Sequence, residues 1–231
     1  MHQRKWKDVF ERLPIERKDK SLTEISGFTN FCKDPKRFRE NVVTSLNKEL
    51  MVLGKSDASV CEVGCGCGDK LSFFYQQGFS CYGIDFSKTM IERGKIEIPK
   101  ADLYIGEACN LPFENNSMDF VFSYSVFFYF ENAAYCCQVL EEMYRIAKPQ
   151  GIICVWDLPD IMERGSIIAL RGEHEKGYEH TYYDMNEFIQ WFKNKDIDSV
   201  KSEYLIMPEY KLSQSRFNIT ARLNKKSIKE A

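Results

Sequence analysis

An apolar segment that runs straight into a glycine-rich turn is the feature that most restricts the fold of this chain. In "VCEVGCGCGDKLSFF", residues 60–74, a run typical of a buried strand reaches a helical pattern through Gly64, Gly66 and Gly68. Further along, strand-like runs alternate with helical patterns, as in "SCYGID", "SMDFVFSYS" and "GIICVWD". Such alternation is typical of βαβ units and a parallel sheet. The sequence therefore predicts an α/β fold, a doubly wound sheet with helices on both faces.

The segments on either side of this alternating region differ from it in pattern. Two helices are predicted before the first strand, in "KWKDVFERL" and "PKRFRENVVTSLNKELMVL", and we interpret residues 1–56 as an N-terminal helical cap or lid. After "GIICVWD", residues 158–183 form a long irregular stretch, and loops of that length in compact domains are usually functional or disordered. A helix beginning near Asp184 and two strands, in "VKSEYLIMPE" and "SQSRFNITARLN", are predicted to complete the fold.

Composition excludes several kinds of protein. The net charge of -2 and the pI near 6.0 give no overall positive field that would attract nucleic acid or an anionic membrane. No apolar run approaches the roughly 18 residues of a membrane span. Of the nine cysteines, Cys61, Cys65 and Cys67 cluster in the turn, but no second pair with zinc-ligand spacing accompanies them. We expect a cytoplasmic protein with reduced thiols, no metal and no membrane insertion, and the charge argues against a nucleic-acid partner.

The glycine turn and an acidic residue one strand later point to a nucleoside ligand. Glycines at the end of a strand let a ligand approach the backbone closely. Asp85 ends the next strand, where nucleotide-binding folds place a carboxylate for the ribose hydroxyls. A dinucleotide fingerprint, G-x-G-x-x-G, requires glycine where this chain has Asp69, so the spacing disfavours NAD.

These motifs resemble those of the class I S-adenosylmethionine-dependent methyltransferases, whose first motif is an acid followed by G-x-G-x-G. Here that motif reads Glu62, Gly64, Gly66 and Gly68. The similarity extends over residues 59–157 and includes "YGIDFS", "GEACNLPFENNSMDFVFSYSVFFYF" and "RIAKPQGIICVWD". It implies a Rossmann-like, mostly parallel seven-stranded sheet with an antiparallel last strand. We interpret residues 57–231 as the methyltransferase domain, with the irregular stretch at about 158–183 as its substrate loop.

The resemblance further implies that the cofactor is S-adenosylmethionine and that S-adenosylhomocysteine is the product. Glu62 and the backbone of Gly64 to Gly66 would face the methionine part and Asp85 the ribose. Phe86, Glu107, Ala108 and Cys109 would face the adenine, and Ser123 and Tyr124 would lie beside the sulfonium. The residues expected to bind the cofactor are Glu62, Gly64, Cys65, Gly66, Gly68, Asp85, Phe86, Met90, Glu107, Ala108, Cys109, Ser123 and Tyr124.

Candidate residues for the acceptor follow from the chemistry of methyl transfer. An acceptor hydroxyl must lose a proton, which a histidine or carboxylate near the methyl group can take. His174 and His180, in "RGEHEKGYEHTYYD", and Tyr129, after the fourth strand, are the candidate catalytic residues. Guanidinium and phenol groups could hold a phosphate or carboxylate. The candidate substrate-binding residues are Phe128, Arg164, Arg171, Tyr178 and Tyr182.

The segments "SVFFYFEN" and "HTYYDMNEFIQWF" look like those of small methyltransferases that modify bacterial surface or capsule saccharides. We therefore expect methyl transfer to an oxygen or nitrogen of a small anionic metabolite, such as a sugar, a sugar nucleotide, or a phosphorylated or phosphoramidate precursor of a bacterial capsule. The alternatives are a nucleic-acid or protein methyltransferase, a nucleotide-binding oxidoreductase, and a non-catalytic cofactor-binding module. A monomer or homodimer is expected.

Overall fold

The computed structural model describes residues 2–26, 31–171 and 179–225, with the backbone alone for residues 2–5. The helices are α1 (His2–Glu16), α2 (Leu22–Ile25), α3 (Pro35–Met51), α4 (Leu71–Gln76), α5 (Lys88–Glu97), α6 (Ala133–Ile146), α7 (Arg164–Arg171) and α8 (Met185–Lys193). The strands are β1 (Ser59–Val63), β2 (Ser80–Asp85), β3 (Asp102–Ile105), β4 (Met118–Tyr124), β5 (Ala147–Pro159), β6 (Ile197–Tyr204) and β7 (Arg216–Leu223).

These strands form one sheet in the order β3-β2-β1-β4-β5-β7-β6. Neighbours from β3 to β5 pair in parallel, whereas β7 runs antiparallel to both β5 and β6. The predicted Rossmann-like sheet with an antiparallel last strand is therefore confirmed. The order reverses between β1 and β4, and ligands of open α/β sheets bind outside the carboxyl ends of the strands at such a point.

The sheet is buried on both faces because consecutive residues of its central strands point to opposite cores. In β4, Phe120 and Phe122 pack into one apolar cluster together with Leu46 of α3. Val121, between them, packs into the other cluster together with Val139 of α6. All of β4 is buried, which explains its nearly continuous apolar sequence.

Local sequence signals account for several helix ends. The Ser87 side chain accepts a hydrogen bond from the Met90 amide at 3.2 Å, and this cap begins α5. Gly78, with φ of 88°, follows the last turn of α4 in the left-handed conformation that commonly ends helices. These two helix ends thus follow from the local sequence.

The segment predicted to be irregular is partly regular in the residues that the structure describes. Residues 158–183 were expected to form a loop, but β5 continues to Pro159 and α7 follows it. Helix α7 is only eight residues long and contains Gly165, a poor helix former, so its sequence gives a weak helix signal. Residues 148–151, which precede the run "GIICVWD", lie within β5, where Gln150 adopts a left-handed φ of 67°. The backbone irregularity is therefore accommodated inside a strand.

The N-terminal helices contact the rest of the chain in different ways. Helix α1 packs across the start of α5, where the Glu11 carboxylate accepts hydrogen bonds from the amides of Lys88 and Thr89 at 2.9 and 3.1 Å. Helix α3 buries one face in the same core as the sheet. The division at residue 56 into a cap and a main domain stays a prediction.

Candidate active site

A cavity of about 370 Å³ lies at the carboxyl ends of β1, β2 and β4, and its size is in the range of small-molecule sites. The predicted site residues on its wall are Glu62, Gly64, Cys65, Gly66, Asp85, Phe86, Met90, Glu107, Ala108, Tyr124, Phe128, Tyr129 and Arg171. Among the described residues, six other predicted site residues do not line the cavity: Gly68, Cys109, Ser123, Arg164, His180 and Tyr182. His174 and Tyr178 lie outside the described residues.

The glycine turn lies close to the end of β4 and leaves no room for a side chain at its first position. Gly64 has a φ of 75°, and a Cβ added there would be 2.5 Å from a methyl carbon of Val126. The amides of Gly64 and Cys65 both donate to the Ile84 carbonyl, at 2.9 and 3.0 Å, which folds the turn over the end of β2. The backbone thus forms a bare surface on the cavity wall.

The Asp85 carboxylate closes this turn from the neighbouring strand. It accepts hydrogen bonds from the amides of Gly66 and Ser87, both at 2.9 Å. Burial raises the pKa of Asp85 to about 6, although the two amides act in the opposite direction. At neutral pH an ionised carboxylate therefore lies at the position expected to face a ribose.

Glu62 provides a second buried acid, at the carboxyl end of β1. Its carboxylate accepts a hydrogen bond from the Leu71 amide at 3.2 Å. Burial raises the pKa of Glu62 to about 8, while the nearby Lys70 ammonium lowers it in part. A cationic ligand group that paired with Glu62 would favour its ionised form.

Asp69, whose position in the motif disfavours a dinucleotide, anchors the turn and does not line the cavity. Its side chain accepts hydrogen bonds from the Arg39 guanidinium at 2.9 Å and the Thr23 hydroxyl at 2.8 Å. The Lys70 ammonium is 3.2 Å from the other carboxylate oxygen, and Lys70 itself reaches the cavity wall. Asp69 thereby ties the glycine turn to the segments around α2 and α3.

The expected adenine side is formed by residues after β2 and β3. Phe86 and Ala108 line it, and the Glu107 carboxylate accepts a hydrogen bond from the Tyr135 hydroxyl at 2.9 Å. Tyr135, on α6, also lines the cavity, although no sequence motif indicated it as a site residue. Ser123 was expected beside the sulfonium, but its hydroxyl is buried away from the wall with no hydrogen-bond partner among the described residues.

Aromatic rings form the other half of the cavity. The ring of Tyr129 contacts that of Trp6 from α1, with centroids 4.5 Å apart, and Phe10 of α1 also lines the wall. His180 packs behind these rings, with its centroid 5.1 Å from that of Trp6 and 5.3 Å from that of Phe128. The imidazole therefore supports the wall, and its role as a base stays a prediction.

Two buried guanidinium groups flank Phe128. Arg216, the first residue of β7, has its guanidinium carbon 4.7 Å from the centre of the Phe128 ring, and Arg171 of α7 is 5.4 Å from the same centre. Arg216 is fully buried, and its Nε and Nη2 have no hydrogen-bond partner in the described part of the chain. By contrast, Arg164 packs over the Tyr182 ring at 5.6 Å, away from the wall.

One carboxylate, Asp157, faces these guanidinium groups. It is buried in the second half of β5 and lines the cavity together with Ser125 and Tyr210. The sequence could have indicated Asp157, because Asp157 ends an apolar run just as Asp85 does. Arg216 gave no comparable signal, because it is one arginine in a strand of mixed polarity.

Seven of the nine cysteines are small buried side chains, whereas Cys109 is half-buried and Cys137 is exposed. Burial raises the pKa of the Cys67 thiol to about 12, and the nearby Asp69 charge adds to the rise. No group of three or more metal-binding side chains occurs in residues 2–26, 31–171 and 179–225. In those same ranges no helix is long and apolar enough to cross a membrane.

Known proteins resemble this chain in sequence. Residues 61–155 match the family model described as a methyltransferase domain. A demethylmenaquinone methyltransferase from Oceanobacillus iheyensis is 30% identical over 211 residues, which cover 87% of this chain and 76% of the relative. Further relatives of that name match over 32% to 63% of this chain and over 32% to 59% of their own length.

Solved structures share the fold at low sequence identity. The magnesium protoporphyrin IX methyltransferase ChlM from Synechocystis, solved with bound SAH, aligns with a TM-score of 0.67 and 13% identity, covering 96% of this chain and 100% of that one. A SAM-dependent methyltransferase from Methanosarcina mazei aligns with a TM-score of 0.61 and 16% identity, covering 74% and 95%.

Proposed function

Because the chain belongs to the class I S-adenosylmethionine-dependent methyltransferases, we propose that its acceptor is a small molecule with a flat apolar part and an anionic or acidic oxygen. S-adenosylmethionine is the cofactor of this enzyme. The oxidoreductase and the non-catalytic module, both alternatives from the sequence, are thereby set aside.

The residues present suit this cofactor. Glu62 and the bare backbone at Gly64 and Gly66 would hold its methionine part, Asp85 its ribose, and Phe86 its adenine. When bound, S-adenosylmethionine supplies an electrophilic methyl group with a neutral leaving sulfur. The chain therefore has mainly to orient the acceptor, an effect that can contribute roughly 7–11 kcal/mol to lowering a barrier.

The buried guanidinium group of Arg216 beside Phe128 is the observation that carries the acceptor proposal. Arg216 is fully buried, its Nε is 3.9 Å from Asp157 Oδ1, and its Nε and Nη2 have no hydrogen-bond partner among the described residues. Buried charges are stable only when they are paired and hydrogen-bonded. An acceptor with an anionic or acidic oxygen could accept hydrogen bonds from these two nitrogens.

The apolar walls favour a flat acceptor over a polyhydroxylated one. Phe31, Phe128, Tyr129 and Leu212 surround the same half of the cavity and offer few groups that could bind sugar hydroxyls. The name of the curated relatives, demethylmenaquinone methyltransferase, supports a flat acceptor of the quinol type, in which a ring hydroxyl is the acidic oxygen. A phosphorylated or phosphoramidate saccharide, such as a capsule precursor, meets the charge requirement and is the second candidate.

Several expectations stay predictions. Methyl transfer to oxygen or to nitrogen, the cytoplasmic location and the monomeric or homodimeric state rest on the sequence. A nucleic-acid or protein acceptor is the weaker alternative, because the compartment in front of Phe128 is lined by buried side chains.

A labelled-methyl transfer assay tests the proposal. The full chain and labelled S-adenosylmethionine are incubated with three matched pools: aromatic acids and quinols, phosphorylated sugars, and neutral analogues of both that lack the acidic group. We expect label in the first pool and none in the neutral analogues. Label only in the sugar pool would favour the second candidate, and label in neutral compounds alone would refute the anion requirement.

The Arg216→Lys variant tests the guanidinium directly. Lysine keeps the positive charge that Asp157 faces but lacks the planar guanidinium group with its several N–H donors. The KM for the acceptor should therefore rise by about tenfold or more, since a hydrogen bond to a charged group contributes about 1.5–3 kcal/mol. Arg222→Lys, on the same strand but off the cavity wall, is the control. Equal KM values for both variants would contradict the assignment.

A further inference from the structure

Strand β5 carries a β-bulge where it passes the half of the cavity lined by Phe128, Tyr210 and Arg216, here called the acceptor half. Two of its residues, Trp156 and Asp157, stand opposite the single residue Asn218 of β7. The Asp157 amide donates to the Asn218 side-chain oxygen at 3.0 Å, and Asp157 has a left-handed φ of 63°. Bulges redirect side chains and are frequent beside active sites. This one turns the Asp157 carboxylate to the cavity wall.

The two oxygens of this carboxylate have different surroundings. Oδ2 accepts hydrogen bonds from the Ser125 hydroxyl and, at 3.4 Å, from the Tyr210 hydroxyl. Oδ1 has no hydrogen-bond partner among the described residues, although the side chain is fully buried. A buried acceptor without a partner is costly, which points to a donor supplied by a ligand.

Arg216 does not donate the hydrogen bond that Asp157 Oδ1 lacks. The Arg216 Nε is 3.9 Å away, beyond hydrogen-bond distance, and Arg216 Nη1 donates instead to the Asp157 backbone carbonyl at 3.4 Å. The guanidinium therefore lies beside the carboxylate without occupying its second oxygen. An acceptor whose anionic group bound Arg216 would lie within reach of Oδ1.

We propose that Asp157 is the general base that takes the proton from an acceptor hydroxyl, with Ser125 and Tyr210 as positioning residues. The acceptor O–H bond breaks and its proton moves to Oδ1. The electron pair of that oxygen forms the new O–C bond while the methyl–sulfur bond breaks, and that bond's pair stays on sulfur. Asp157 then releases the proton to solvent. The inference rests on the proposed function, since it requires a small hydroxyl acceptor in this compartment.

The charges around Asp157 determine the expected pH dependence. The titratable groups that face it are Arg216 of β7, Arg171 of α7, Tyr210 before β7, Tyr124 of β4 and Cys32 before α3. Burial raises the pKa of Asp157 above its usual range, and both guanidinium groups oppose this rise. Because a base must be deprotonated, kcat/KM should increase with pH through that raised pKa and then level off.

The test compares kinetics, cofactor binding and stability in three variants of the full chain. Asp157→Asn removes the base but keeps a residue that tolerates a left-handed backbone, and Asp157→Gly leaves space for an added carboxylate. Asp160→Asn is the matched control, since Asp160 is a buried and hydrogen-bonded aspartate three residues along that lies off the cavity wall.

A general base predicts a specific combination of results. In Asp157→Asn, kcat should fall at least about a hundredfold and the acid limb of the pH profile should disappear. The KM for an anionic acceptor should not rise, since a negative charge beside Arg216 is lost. Formate should restore activity to Asp157→Gly and not to Asp157→Asn. S-adenosylmethionine affinity and Tm should match those of Asp160→Asn.

The opposite results overturn the inference. Near-normal kcat in Asp157→Asn, a retained acid limb, or a higher KM with unchanged kcat would each show that Asp157 is not the base. If the wild-type chain binds S-adenosylmethionine but methylates none of the pools, the proposed function fails, and this inference fails with it. Those two failures are distinguished by the activity of the wild-type chain.

Discussion

Replacing Gly64 by alanine tests whether the turn requires glycine because of its backbone or because of its neighbour. A left-handed conformation costs an L-residue about 1–2 kcal/mol. The new Cβ would also lie 2.5 and 2.7 Å from the two methyl carbons of Val126, and overpacking of this kind costs about 1–3 kcal/mol. We therefore expect Gly64→Ala to lower the free energy of unfolding by about 2–5 kcal/mol.

Gly78→Ala separates the two contributions. Gly78 has a φ of 88° and nothing within 4 Å of an added Cβ, so only the conformational cost of about 1–2 kcal/mol applies. Denaturant unfolding without cofactor measures both variants. Val126→Ala combined with Gly64→Ala should recover part of the loss, giving a coupling of about 1–3 kcal/mol. Equal losses for the two glycine variants, with no coupling to Val126, would refute the steric explanation.

Three other predictions concern cofactor binding, the N-terminal helix and metal. As the pH is lowered below about 8, the affinity for S-adenosylmethionine should fall by roughly tenfold per pH unit, because Glu62 becomes protonated. Calorimetry of the Glu62→Gln variant should show no such dependence of affinity on pH. Glu11→Gln should cost about 0.5–1 kcal/mol in denaturant unfolding, since a charge at the start of α5 is lost, whereas an unchanged value would argue against that cap. A chelator should leave Tm and activity unchanged, and a loss of either would indicate a metal site.

The cofactor half of the site could be predicted because its residues are close in sequence to the elements that position them. Glu62 and Gly64 follow from one strand and one turn, and Asp85 ends the next strand of the same βαβ unit. Strand, turn and helix patterns are local properties of the chain, so a single sequence reveals them. The fifth-strand acid, Asp157, obeys the same rule and could have been found in the same way.

The acceptor half could not be predicted, because its residues meet only through pairings between distant segments. Arg216 reaches the cavity because β7 returns antiparallel to β5, and Trp6 because α1 packs across α5. The irregular segment expected at residues 158–183 contains α7, which brings Arg171 to the ring of Phe128.

The sequence by itself determined the class of fold, the glycine turn and the acids that suit S-adenosylmethionine, since hydrophobic period and turn chemistry are local. Tertiary structure decided which charges share a buried compartment and which oxygen of Asp157 is left without a partner. Those properties depend on register, on a β-bulge and on burial. Periodic patterns in the sequence do not predict strand register, the β-bulge or burial in the compartment, because these properties arise from contacts between residues tens of positions apart.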